Sequence, residues 1–162
     1  MKKIVVSVLV CVVLTIAIFL LLFGLKDCMT IRSNQTNKVL YQSPITQNLG
    51  IEFSYIHSVS LTPIIEELNV TQQGFYLQKV IYIDQGGAGM PEFASGKQSF
   101  SIEEGKFVID GFDRFFENIV INVQEKYDDQ IKIEETIIDL DQLLGGNGKV
   151  ILNVEKRLVF KY

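Results

Sequence analysis

The run Lys149-Val150-Ile151-Leu152-Asn153-Val154-Glu155-Lys156-Arg157-Leu158-Val159-Phe160 decides the fold class. Taken every second residue, Val150, Leu152, Val154, Lys156, Leu158 and Phe160 fall on one side. Lys149, Ile151, Asn153, Glu155 and Arg157 fall on the other. A period of two is that of a strand, and β-branched residues favour it. Outward from this run the same period recurs. Ile119, Ile121 and Val123 alternate with Val120, Asn122 and Gln124, and Phe75, Leu77, Lys79, Ile81 and Ile83 form one side after Gly74. Ile64, Glu66, Leu68 and Val70 form another, preceded by Ile51, Phe53, Tyr55 and His57. Shorter strands are expected near 39–41, 98–102, 106–109 and 131–133. Helix is expected only at 112–118 and at 136–144, where Gly145 and Gly146 would end it. About eight to ten closely spaced strands predict an all-β, antiparallel sandwich or barrel with one or two short helices.

The first 30 residues are of another kind. Residues 4–25 contain no charge, and this stretch makes the mean hydropathy of the chain positive, +0.24. As a helix it would span ~33 Å at ~1.5 Å per residue, enough for a hydrocarbon core of ~30 Å. Lys2 and Lys3 precede it, so the positive-inside rule keeps that end in the cytoplasm and the rest outside. A cleaved signal peptide would have a shorter apolar region and a small-x-small site, whereas Phe23-Gly24-Leu25-Lys26-Asp27 ends this one. The expected division is an anchor at 4–25, a polar linker at 26–38 and an extracytoplasmic β domain at 39–162. Cys11 and Cys28 are the only cysteines. The β domain is therefore expected to hold without disulfides, with Cys28 a free thiol at the membrane surface or a cross-link to another chain.

The chain has 15 basic and 19 acidic residues. Lys2, Lys3, Lys26 and Asp27 lie in the first 30, so the remainder has 12 basic and 18 acidic, a net −6. That excludes a nucleic-acid binder, which needs a basic surface for phosphates.

The most informative stretch is Tyr55-Ile56-His57-Ser58-Val59-Ser60-Leu61-Thr62-Pro63-Ile64-Ile65-Glu66-Glu67. Read as a hairpin closed by 58–63, it sets His57 opposite Ile64 and Tyr55 opposite Glu66. The single histidine and an acid then point inward together on apolar strand faces. A buried carboxylate is costly without a partner. One reading is a structural His–Glu pair fixing the loop. A second is a ligand site using His57, Ser58, Thr62 and Glu66 as polar groups in an apolar pocket. A third is a catalytic His–Glu unit, although Ser58, next to His57 on a strand, points the other way and makes a poor nucleophile. A second feature is Asp84-Gln85-Gly86-Gly87-Ala88-Gly89-Met90-Pro91. It lacks the Lys-Ser/Thr of a phosphate loop, so it reads as a tight turn or a backbone nest for an anion. No metal site or cofactor is expected, since one histidine and no domain cysteine cannot build a zinc site.

His57-Ser58-Val59, Thr62-Pro63, Glu66 and the later Gly87-Ala88-Gly89-Met90-Pro91 together resemble the bacterial domain-of-unknown-function family number eighteen-fifty, over roughly 39–160. The resemblance implies a bacterial envelope protein without established activity, encoded beside TRAP transporters of the TAXI type. It thereby implies a transporter accessory whose partner is a TRAP transporter component or a small organic acid. It also implies a ligand- or partner-binding site at His57, Ser58, Thr62, Glu66, Gly87 and Gly89, with no catalytic residue assigned. The acidic pair Glu66-Glu67 departs from a simple anion trap. The expected function is a membrane-anchored extracytoplasmic binding or accessory domain. The alternatives are a hydrolase-like enzyme using His57 and Glu66, and a structural envelope protein.

Overall fold

The structure, a computed structural model, describes residues 2–47, 49–82 and 97–160. An apolar helix α1 (Lys2–Leu22) leads directly into strand β1 (Phe23–Ser33), followed by β2 (Val39–Pro44), β3 (Leu49–Ile56), β4 (Pro63–Thr71) and β5 (Gly74–Tyr82). Next come β6 (Ser99–Glu103), β7 (Lys106–Phe116), β8 (Ile119–Val123), a 3-10 turn (Glu125–Tyr127), β9 (Gln130–Ile133) and β10 (Thr136–Asp139). A short helix α2 (Leu140–Leu144) and β11 (Gly148–Phe160) complete the chain. The strands form two antiparallel sheets, of order β2-β1-β11-β8 and β10-β9-β3-β4-β5-β7-β6. The expected all-β, antiparallel architecture is present, with a two-sheet sandwich as its form.

Each sheet contributes its apolar face to one core. Met29, Ile31, Val150 and Leu152 from β1 and β11, with Ile121 and Val123 from β8, meet Ile51, Leu68, Val70, Phe75 and Leu77 of the larger sheet. The alternation read from 149–160 holds in its first half, where Val150 and Leu152 are buried between less buried neighbours; in its second half Val159 is buried and Leu158 and Phe160 are exposed. A smaller cluster, Ile64, Tyr82 and Ile109, packs with Tyr55, Phe100 and Phe107 farther along the seven-stranded sheet.

Three local expectations are corrected. The stretch 26–38, expected as a linker, begins inside β1. Cys28, Met29, Thr30 and Ile31 are fully buried there, and β1 pairs with β11 from Phe23↔Phe160 to Ser33↔Val150. Met29 and Ile31 between polar neighbours are a weak local pattern, and a strand 117 to 137 residues further along the chain supplies the partner. Residues 112–118, expected as helix, lie mostly in β7, because Phe116 pairs with Phe75 and Arg114 with Leu77. A bulge at Gly111 (φ 79°), where the register to β5 shifts, absorbs the extra residues. Residues 136–144 divide. Thr136–Asp139 pairs with β9, and only Leu140–Leu144 is helical. Asp139 caps that helix by accepting the Gln142 N–H at 3.3 Å, and Gly145 (φ 81°) ends it as expected.

Candidate functional site

The four-stranded sheet packs against the seven-stranded one. There a cleft of about 500 Å³ lies between the sheets. Phe53, Leu68, Leu77 and Phe116 form one apolar wall, and Ile119, Ile121 and Leu152 the other. Polar groups converge on it: Tyr55, His57, Ser58, Glu66 and Arg114 from the large sheet, and Gln124, Tyr127 and Asp129 from the segment after β8.

Glu66 is the unusual member. Along β4 its inward neighbours Ile64, Leu68 and Val70 are all buried hydrophobics, so a carboxylate occupies a core position. Burial pushes this carboxyl above its ordinary range. The Tyr55 hydrogen bond and the charge of Arg114 pull it back only in part. Tyr55 Oη donates to Glu66 Oε1 at 3.2 Å. Burial, then the Glu66 charge, push the phenol far up, which keeps it a donor. Asp129 is buried beside them and accepts the Gln124 N–H at 3.0 Å, which closes the segment 124–129 into the cleft's end. Burial raises its carboxyl as well. Arg114 is exposed at the rim, its guanidinium 4.8 Å from the Phe116 ring centroid.

The hairpin differs from the expected one by two residues. Ile56 faces Pro63, Tyr55 faces Ile64, and Phe53 faces Glu66. The His57 N–H donates to the Thr62 carbonyl and the Leu61 N–H to the His57 carbonyl, both at 2.9 Å. Leu61 in the left-handed region (φ 55°) closes the loop this early. A shift of two preserves the faces, so Glu66 still points inward as alternation demands. It changes the partners. Glu66 bonds to Tyr55, and His57 bonds to its own loop: the Ser60 N–H donates to Nδ1 at 3.2 Å, and Ser60 Oγ lies 3.1 Å from the same nitrogen. Ser60 Oγ is 2.8 Å from Thr62 Oγ1. His57 Nδ1, Ser60 and Thr62 therefore lock the loop.

Of the expected site residues, His57, Ser58 and Glu66 line the cleft, and Thr62 belongs to the hydrogen-bonded loop beside it. Gly87 and Gly89 lie outside the described residues. Sequence reasoning passed over Tyr55 as a partner and missed Arg114, Gln124, Tyr127 and Asp129. The first was legible as an inward tyrosine two positions from His57. The others come from distant segments, with no local pattern to mark them. Among the described residues no group of three or more His, Cys, Asp or Glu side chains is arranged for a metal ion.

Residues 51–140 match the family described as domain of unknown function (DUF1850), more than half of the chain. The chain belongs to the DUF1850 family. The DUF1850 segment contains every cleft residue named above except Leu152, and nearly the whole seven-stranded sheet. It leaves out β1, β2 and β11, so the second wall of the cleft comes in part from β11, through Leu152, outside the family match. Comparison with curated proteins and with solved structures finds no match.

Proposed function

We propose that the chain is a membrane-anchored, extracytoplasmic binding domain that holds a small solute in the cleft between its sheets. The single observation behind this reading is Glu66, a carboxylate in a row of core hydrophobics with one side open to a cleft. A carboxylate is costly to bury there, and the Tyr55 hydrogen bond and the Arg114 charge offset that cost only in part, which leaves Glu66 able to take a further partner. The cleft volume falls within the ~300–1,000 Å³ usual for small-molecule sites. Glu66 and Asp129 suit a ligand group that donates hydrogen bonds, an ammonium or a hydroxyl. Arg114 at the rim suits a carboxylate, and Leu68, Leu77 and Leu152 suit an apolar body. An amino or hydroxy acid combines these features. This narrows the organic-acid class implied by the family resemblance, which also supports a place beside a TRAP-type uptake system. The Ser60–His57 contact favours no hydrolase, because the Nδ1 lone pair already accepts a backbone N–H and Glu66 bonds elsewhere.

Calorimetric titration of the detergent-solubilised full chain tests the reading. Amino and hydroxy acids should bind, and unsubstituted aliphatic acids of equal length should not. Glu66→Gln and His57→Ala should each weaken binding roughly 5- to 150-fold, the equivalent of ~1–3 kcal/mol. Absence of heat for the whole panel overturns the reading. Turnover of an ester or amide that His57→Ala abolishes replaces it with the enzyme. The anchor is α1, in which Ile4–Leu22 is long and apolar enough to cross a bilayer. Protease added to intact spheroplasts should digest the domain. A mature N-terminus downstream of α1 would make that helix a signal peptide.

A further inference from the structure

Beyond the four-stranded sheet, β1 and β11 continue as a two-stranded arm. β2 pairs with β1 only from Cys28 inward, and β8 with β11 only as far as Leu152. Phe23–Lys26 therefore has Arg157–Phe160 as its ladder partner. On one face of the arm Phe23 sits opposite Phe160 and Leu25 opposite Leu158. Leu25 is 69% exposed, Leu158 49% and Phe160 51%. The next pair inward, Asp27 and Lys156, is an ion pair at 3.1 Å. In water this tip would expose a contiguous apolar face, at ~25 cal/mol per Å².

The connection to α1 says what covers it. Helix α1 ends at Leu22 and β1 starts at Phe23, with no residue between. Phe19 in the last turns of α1 stacks on Phe23 at 4.9 Å, and Phe23 meets Phe160 edge-on at 5.4 Å. Three rings thus run from the helix into the arm. A 19-residue span, Ile4–Leu22, covers ~28 Å at ~1.5 Å per residue, so Leu22 reaches the edge of a ~30 Å hydrocarbon core. Strand residues advance ~3.3 Å each, which sets positions 23–25 at the depth of the interfacial layer. Lys26, Lys156 and Arg157 follow at the level of lipid phosphates, with Lys156 paired to Asp27 and Arg157 to Glu155.

We propose that the arm formed by Phe23–Lys26 and Arg157–Phe160 is seated in the interfacial layer of the outer leaflet, so that the domain is docked on lipid and not tethered above it. This rests on the reading of α1 as a membrane span. The chain has no tryptophan, so a single introduced one is the sole indole reporter. Full-length Leu158→Trp, Leu25→Trp, Phe19→Trp and Ile137→Trp proteins are reconstituted into phosphatidylcholine–phosphatidylglycerol vesicles with brominated or plain acyl chains. Ile137 is 63% exposed on β10, at the edge of the other sheet. Leu158→Trp and Leu25→Trp should lose intensity in brominated vesicles and emit at shorter wavelength, as Phe19→Trp does, while Ile137→Trp does neither. Quenching of Phe19→Trp with Leu158→Trp and Leu25→Trp unaffected overturns the arm's seat and leaves the anchor standing. Quenching of none of them overturns both. Equal quenching of Ile137→Trp overturns a seat specific to the arm.

Discussion

Tyr55 donates its phenolic hydrogen to Glu66 Oε1 at 3.2 Å from a position diagonal to it, since Tyr55 faces Ile64 and Glu66 faces Phe53 across β3 and β4. A long aromatic reaches such a diagonal neighbour readily. The contact gives an inward carboxylate a hydrogen-bond donor from a protein side chain.

Tyr55→Phe removes that donor and keeps the ring. Because the hydrogen bond holds the Glu66 carboxyl down, its loss should raise the carboxyl further. The expected cost is about 1–3 kcal/mol, as for a buried acceptor left without its partner. Urea unfolding gives the cost, and carbon-13 NMR titration of the glutamate carboxyls gives the direction. A carboxyl that moves down would show that the pair does not form.

Stability should carry an inverted acid response from Glu66 and Asp129. Both carboxyls are raised in the folded state, by burial first. The folded protein then holds these protons more tightly than the unfolded chain does. Their contribution is most favourable below the unfolded value of about 4 and is lost as pH rises through the folded values. Glu66→Gln, neutral throughout, should gain on the native protein between pH 4 and pH 7. Midpoints of thermal unfolding across that range check it, and a constant difference between the two proteins contradicts it.

Gly74 opens β5 with φ 147°, and a Cβ there would collide with the Phe116 carbonyl oxygen on β7. Gly74→Ala should therefore destabilise by at least ~1–3 kcal/mol, from backbone strain together with the clash. A lower urea midpoint at unchanged slope is the expected result. Gly105→Ala, where φ is 80° but no atom lies near the added Cβ, separates strain from collision and should cost less.

Cys28 should be silent toward thiol reagents in the folded protein. It is fully buried in β1, and burial pushes its thiol up, so little thiolate forms. A membrane-impermeant maleimide should leave it unlabelled in vesicles and label it after denaturation. Rapid native labelling, or a cross-linked dimer under oxidant, would restore the exposed surface thiol expected from the sequence.

Sequence pattern alone determined a good deal. Period-two alternation in 51–57, 64–71, 75–83, 119–124 and 149–160 specified strands and, through them, an antiparallel sandwich or barrel. It also specified that Glu66 points inward, because a strand has only two faces and the other members of that face are Ile64, Leu68 and Val70. The apolar run at the N-terminus specified α1 by composition, and the His57, Thr62-Pro63 and Glu66 pattern carried the family. What the sequence left open is what depends on partners far away along the chain. β1 carries a weak pattern and exists because β11 offers it a full ladder. The stretch 112–116 has helix-compatible residues, yet pairing with β5 satisfies its backbone as strand. The hairpin register turned on Leu61 adopting the left-handed region, a choice made by loop geometry that exchanged the His57–Glu66 pair for Tyr55–Glu66 and His57–Ser60. Arg114 and Asp129 reach the cleft only because two sheets close over it. Alternation is a local steric property of each strand and is written along the chain. Pairing and register are settled by which distant segments can bury surface and satisfy hydrogen bonds together, and only the tertiary structure decides that.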